Sequence, residues 1–350
     1  MPPLERAQAK LSGIEREVAE LDADILLLVE AIRGADRMQE FVATHLPNYR
    51  LIVRDGQQSY GIQGEQWMWF VTKPEILTDR GAHLLDIATW QAYTRRVYTI
   101  HGSRKEYKDG QWWVSVPKID NQTNTVGANV LAKHSHYRHP QVLVIDWNGT
   151  RVEFIGAHLK SKFTGSSVPR RKTTETDKEY YERPEVRLFM AKSAIARAKL
   201  TTEATDIRCF IDQRFEQEQL PAIFVLGDLN DGPGKELLER EYLFHDLISN
   251  LQGDVFFARR FLNHALFDNE DHLRWTVEFE DKLDPARDPH ILLDHIVFTE
   301  AMSRRGTGPL IVLPNMGKVE HEIHERIVSL MPQGAEISDH RPVSLVVSER

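Results

Sequence analysis

Five short apolar runs, each meeting an ionisable or amide residue at one end, constrain this chain more than any bulk property. ILLLVE ends on Glu30, EFIGAHLKSK carries His158, IFVLGDLND carries Asp228 and Asn230, LLDHIVF carries Asp294, and ISDHRPVSLVV opens on Asp339 and His340. Runs this short and continuous suit buried strands, because a helix of about ten or more residues would show a 3.6-residue period. Ile25 to Val29 reads as a strand buried on both faces. Asn148-Gly149 joins two strand-like runs as a tight hairpin. Leu4, Leu11 and Val18, alternating with Ala7, Ile14 and Leu21, mark an opening amphipathic helix, and a second helical stretch runs from about Val186 to Phe215.

Helices alternating with strands and hairpins predict a mixed-sheet α/β (α+β) architecture, with residues 1–350 as one domain because no linker or repeat divides them. Residues 161–184, polar and Thr-rich, read as a long mobile insertion, and residues 101–116 as a surface hairpin turning at Asp109-Gly110. Trp67 and Trp69 alternate as strand residues that pack a core or a sheet face. Together with Trp112 and Trp113 they are also candidates for stacking on bases.

The formal charge of −8 gives no net pull toward nucleic acid or an anionic membrane, so any basic contact must be local. The single cysteine, Cys209, excludes an internal disulfide framework and a cysteine-based zinc cluster, and reads as a buried residue. No apolar run approaches the ~20 residues of a membrane span. The charged first twenty residues lack the apolar core of a signal peptide, so the chain as written reads as cytoplasmic.

Any one of the five polar strand ends fits a turn former. Together they predict groups gathered at one edge of a layered fold, where ligands and catalytic residues sit on loops held by the core. Glu30, Asp228, Asp294 and Asp339 with the amide of Asn230 suit a hard, oxygen-seeking cation such as Mg2+, with Mn2+ as a substitute. His158 and His340 add proton transfer near neutral pH. That combination suits hydrolysis of a phosphate ester.

The ordered series LLLVE, GAHLKSK, VLGDLND, LLDHIVF and ISDHRPV resembles the endonuclease/exonuclease/phosphatase superfamily of deoxyribonuclease-like metal-dependent phosphoesterases, over residues 20–347. The resemblance implies a four-layer α-β-β-α sandwich of two mixed sheets. It implies metal binding by Glu30 and Asp339, a general acid at His158, and water activation by Asp228. It further implies phosphoryl contact by Asn230 and a final histidine, His340, oriented by Asp294. It makes Arg138, Lys160 and Lys162 candidates for substrate binding, with Arg170, Arg171 and Lys172 behind them as phosphate-backbone contacts. The partner expected is nucleic acid or another phosphate ester, with the oligomeric state left open.

Two departures stand out. Members of the superfamily usually begin with a strand carrying an Asn in the metal-site network, whereas this chain begins after it, in the helix. An upstream piece would supply that strand and could hold an export signal, making the protein secreted or periplasmic. His139 also stands where the deoxyribonuclease branch has a Glu supporting the first histidine. The resulting reading is a Mg2+-dependent phosphodiesterase, a nuclease first. A phosphatase or phosphodiesterase for a small-molecule or lipid phosphate is the alternative, and a degenerate binding or scaffold protein the alternative of another class. GDLNDGPGKE is not a P-loop, HEIHER has its histidines three apart where a zincin has four, and HSHYRH reads as a solvated loop.

Overall fold

The structure is a computed structural model. It describes residues 3–53, 64–100, 102–107, 114–120, 122–123, 125–131, 134, 136–165, 169–232, 247–253, 259–280 and 285–350. The first half runs α1 (Pro3–Leu21), β1 (Ile25–Ala31), α2 (Ala35–His45), β2 (Arg50–Leu51), β3 (Trp67–Thr72), α3 (Pro74–Asp79), β4 (His83–Leu84), α4 (Ile87–Thr94), β5 (Arg96–Ile100), β6 (Ser103–Tyr107), β7 (Val114–Asp120), β8 (Thr125–Leu131), β9 (Gln141–Trp147) and β10 (Thr150–His158). The second half runs α5 (Asp177–Glu182), α6 (Pro184–Gln217), β11 (Ala222–Asp228), α7 (Leu247–Gln252), β12 (Asn263–His264), β13 (Val277–Glu278), β14 (His290–Ile291), β15 (Asp294–Phe298), β16 (Leu310–Val319), α8 (His321–Ser329) and β17 (Val343–Glu349).

The central sheet has the order β12-β15-β11-β10-β9-β4 and is mixed: β10 and β11 run parallel, and the other neighbours antiparallel. Its strands alternate two apolar sets, as a pleat buried on both faces requires. Leu143, Ile145, Val152, Phe154, Phe224 and Phe298 face a core shared with β1, β3, β16 and β17. Val142, Val144, Ile155, Ala157, Ile223, Val225 and Val297 face a second core, closed by Trp90 of α4 and by Leu200, Ile207, Phe210 and Ile211 of α6. Val18 of α1 and Met38 and Val42 of α2 cover the outer face of the first core. The result is the expected α-β-β-α layering.

The second β layer departs from the expected single mixed sheet. It consists of an antiparallel three-stranded piece, β1-β3-β2, and the antiparallel pair β16-β17. Among the described residues β1 pairs only with β3, and β17 only with β16. Ile25 to Leu28 all pack against the first core, so both faces of β1 meet apolar neighbours, but each residue is only half-buried. β3 beside it is buried throughout, with Trp67 and Trp69 stacked at 5.5 Å between ring centroids.

The opening helix, the long helix and the Asn148-Gly149 turn, at φ of 54° and 80°, stand where the sequence puts them. Two other segments differ. Residues 161–184 include the helix α5, whose Thr176 accepts from Glu179 N while Glu179 accepts from Thr176 N, a reciprocal cap that stabilises its first turn. Among the described residues of 101–116 the pairing seen is of β6 with β5 and of β7 with β8, while the turn expected at Asp109-Gly110, with Trp112 and Trp113, lies outside the described residues. Cys209 is buried on α6.

The layers meet closely at Gly156, where an added Cβ would lie 2.8 Å from Leu27 Cδ1 and 2.9 Å from Phe70 Cε2. Overpacking of a filled core costs about 1–3 kcal/mol. Gly156→Val is expected to lower the free energy of unfolding by about that amount, measured by urea titration.

Candidate active site

Strand pairing assembles the site. The parallel register of β10 and β11 sets His158 opposite Asp228, and the antiparallel register of β11 and β15 sets Asp228 opposite Asp294. Three of the polar strand ends thus form one row across adjacent strands at one edge of the central sheet. Glu30 reaches the same place from β1, at a register shift between Leu28 and Ala31 and with φ of 55°. Its Oε1 lies 3.9 Å from His158 Nε2. His340 arrives on the segment before β17, bridged to Val277, and its Nδ1 lies 2.7 Å from Asp294 Oδ2.

Asp228 is buried and heavily engaged. It accepts hydrogen bonds from Asn230 N at 2.8 Å and Asn230 Nδ2 at 3.0 Å, and its Oδ2 lies 3.3 Å from His158 Nε2. Asn230, at φ 53°, also donates from Nδ2 to Leu159 O at 3.0 Å. Both of its amide hydrogens therefore have acceptors within the protein. In this arrangement the side chain holds Asp228, and it has no spare hydrogen for the phosphoryl contact that the resemblance implies.

Burial pushes the Asp228 carboxyl well above the usual carboxylate range, and the charge of Asp294 adds to the effect. For His340 burial works downward, but the hydrogen bond that it donates to Asp294 and the charges of Asp294, Asp228 and Asp339 outweigh it and raise the imidazole to about 9. His158 is pushed down to about 3 by burial and by the charges of Arg138 and His340. At neutral pH His340 carries the proton and His158 is neutral. This distribution opposes the general-acid role implied for His158, since an acid must hold a proton to give. His139, in the place of a supporting carboxylate, turns its Nδ1 to Pro140 O at 2.8 Å, and His158 Nδ1 is buried with no hydrogen-bond partner among the described residues.

The expected substrate-binding cations turn toward the protein. Arg138 is buried and donates to His158 O, Leu159 O and Gln66 Oε1. Lys160 Nζ donates to Ser161 O, and Lys162 Nζ lies 2.5 Å from Asp231 Oδ1. Arg170, Arg171 and Lys172 are exposed, with Arg171 paired to Asp177. The HSHYRH segment is not a solvated loop: His134 pairs with Glu203 and His136 with Asp206, two buried acids of α6. Nothing in the helical pattern of α6 distinguishes those acids from surface charges.

Sequence reasoning also missed a buried pair of histidines behind the row. Leu266 N donates to His264 Nδ1 at 3.0 Å, so His264 Nε2 carries the hydrogen that faces His295 Nδ1 at 2.9 Å. His295 Nε2 then donates to Asp231 O at 2.7 Å. Each ring is satisfied only when neutral, because a second proton on either would set two N–H groups against each other. The dipeptide Asp294-His295 was the available signal, since alternation on β15 sends His295 to the opposite face from Asp294.

Glu30 and Asp339 offer oxygen donors of the kind a hard cation takes, and Asp339 is exposed at this edge. Among the described residues no group of three or more acidic, histidine or cysteine side chains is placed to hold a metal ion together.

No protein-family model matches this chain, and no curated protein does. Among solved structures the chain is similar to a humanised Danio rerio TDP2 at 12% identity and a TM-score of 0.47, covering 97% of this chain and 92% of that one. It is similar to an endonuclease/exonuclease/phosphatase family protein from Bacteroides thetaiotaomicron at 13% identity and 0.46, covering 98% and 89%. A mannosyl-6-phosphatase from the same organism matches at 13% and 0.43, covering 98% and 91%. No helix among the described residues is long and apolar enough to cross a membrane.

The histidine pair gives a pH prediction. Burial, with His295 beside it, holds His264 down to about 3 in the fold, while the unfolded chain binds that proton near 6.5. Its stabilisation is present above pH 6.5 and is lost as pH falls toward 3. The melting temperature is expected to drop across that window, and the drop to be smaller in His264→Ala, as measured by calorimetry.

Proposed function

We propose that the protein is a Mg2+-dependent phosphoesterase acting on phosphodiesters, with nucleic acid as the leading substrate. The observation that carries this reading is the row His158, Asp228 and Asp294 across three adjacent strands, with His340 Nδ1 at 2.7 Å from Asp294. Glu30 and Asp339 would hold the cation, whose charge would neutralise phosphoryl oxygens and favour ionised Asp228. Asp228, fixed by two bonds from Asn230, accepts the proton of the attacking water. His340, charged at neutral pH, donates to the phosphoryl or leaving oxygen, and Asp294 keeps it charged and oriented. His158 stays neutral, its Nε2 beside Asp228 and Glu30.

One observation favours a smaller substrate. Arg138, Lys160 and Lys162 are occupied within the protein, which removes three cations from the expected path of a phosphate backbone. Ionic strength separates the two readings, because backbone binding releases counterions and weakens steeply with salt.

Hydrolysis of bis-p-nitrophenyl phosphate and of supercoiled plasmid, each with Mg2+ and with EDTA, tests the reading. Asp228→Asn and His340→Ala are each expected to lower the rate by about 10²–10⁴-fold, with melting temperatures near that of the unaltered protein. Activity that survives both substitutions would sink the assignment. The rate is further expected to fall as pH rises through about 9, where His340 loses its proton, and Asp294→Asn to move that limb to lower pH.

A further inference from the structure

Glu30 poses a positioning problem. Its side chain is 57% exposed, and an exposed glutamate samples many rotamers unless something holds it. The neighbouring cation does not: Arg33 Nη1 pairs with Glu65 Oε1 at 2.6 Å. The group on Glu30 is Gln66, whose Nε2 donates to Glu30 Oε1 at 2.5 Å.

The amide of Gln66 is itself oriented by chemistry. Arg138 Nη1 donates to Gln66 Oε1 at 3.0 Å, and a guanidinium has no acceptor. The oxygen of Gln66 must therefore face Arg138, which leaves the NH2 facing the carboxylate. Arg138 is fixed in turn, since Nε donates to His158 O at 3.0 Å and Nη2 to Leu159 O at 2.8 Å. Leu159 O also accepts from Asn230 Nδ2, which binds Asp228 Oδ2. The backbone carrying Gln66 is seated on the same segment as Arg138. An added Cβ at Gly64 would lie 2.4 Å from Tyr137 Oη, and Trp67 Nε1 donates to Gly64 O at 3.0 Å. A continuous chain of hydrogen bonds thus runs from Glu30 through Gln66 and Arg138 to the ends of β10 and β11.

We propose that Gln66 and Arg138 are positioning residues that fix the Glu30 carboxylate relative to Asp228 for cation binding, and that neither contacts substrate. The proposal rests on the phosphoesterase reading for the role of Glu30. Arginine is specific to the task because its planar fork reaches three acceptors at once, which a lysine ammonium cannot do with the same geometry.

The test is Mn2+ binding, followed by the electron paramagnetic resonance signal of free Mn2+, with kcat, KM and melting temperature measured beside it. The proteins are the unaltered chain, Gln66→Ala, Arg138→Lys, Glu30→Gln and the Gln66→Ala/Glu30→Gln double variant. Outer partners of metal ligands affect affinity by about 10–100-fold. Gln66→Ala is expected to weaken Mn2+ binding by about tenfold or more and to lower kcat with KM and melting temperature little changed. In the Glu30→Gln background the same substitution is expected to add almost nothing, because its effect passes through Glu30. Gln66 is exposed, so its variant keeps the test sound even if Arg138→Lys fails to fold. Unchanged Mn2+ affinity in Gln66→Ala, or a full additional loss in the double variant, would overturn the proposal alone. Failure of the unaltered chain to bind Mn2+ would overturn the metal-dependent reading and the proposal with it.

Discussion

The parallel pairing of β10 with β11 is the constraint on which the candidate site depends. Parallel neighbours end at the same edge of a sheet, so His158 and Asp228 emerge side by side. Antiparallel β15 then begins where β11 ends, and brings Asp294 into the row. Both faces of these strands are covered by apolar cores, which leaves their ends as the natural outlet for polar chemistry. Because side chains alternate along a strand, a one-residue slip of β11 would send Asp228 to the opposite face.

The site stores an electrostatic conflict. Asp228 is buried beside Asp294, an arrangement that disfavours a second negative charge, and protonated His340 relieves only part of it. Carboxylates gathered without enough cations favour a positive ligand at the same place. Buried Arg138 contributes charge from behind the row, and its own burial is offset by three carbonyl-type acceptors. Burial above all, and then the same guanidinium and His340, explain why His158 stays neutral although it touches Asp228.

The layering and the gathering of polar strand ends at one sheet edge were legible because both rest on local pattern. Apolar runs with polar ends show in the sequence, and strand ends that share a sheet edge share a site. The proton distribution was not legible. It depends on how deeply His158 and His340 are buried and on which acid faces each ring, facts that belong to the packed molecule. Gln66 was hidden for another reason: it precedes a Trp-rich strand, and its contact with Glu30 spans 36 residues. Arg138 reads from sequence as a candidate for substrate binding, and only the placement of its segment against the end of β10 shows it directed inward. His264 and His295 were missed because two neutral rings in a core carry no periodic mark.

The divided second β layer has a consequence for how this molecule meets other chains. β1 and β17 each leave one row of backbone donors and acceptors unpaired among the described residues, and β1 does so along a run of leucines. Such an edge is a template on which any extended peptide gains main-chain hydrogen bonds without disturbing the layers behind it. The charges of Asp22 and Asp24, held by Lys73, flank only the start of β1 and leave its middle unguarded. Strand addition at β1 would lay a foreign backbone beside Glu30. An added strand would therefore adjoin the carboxylate that the site most needs to keep in place.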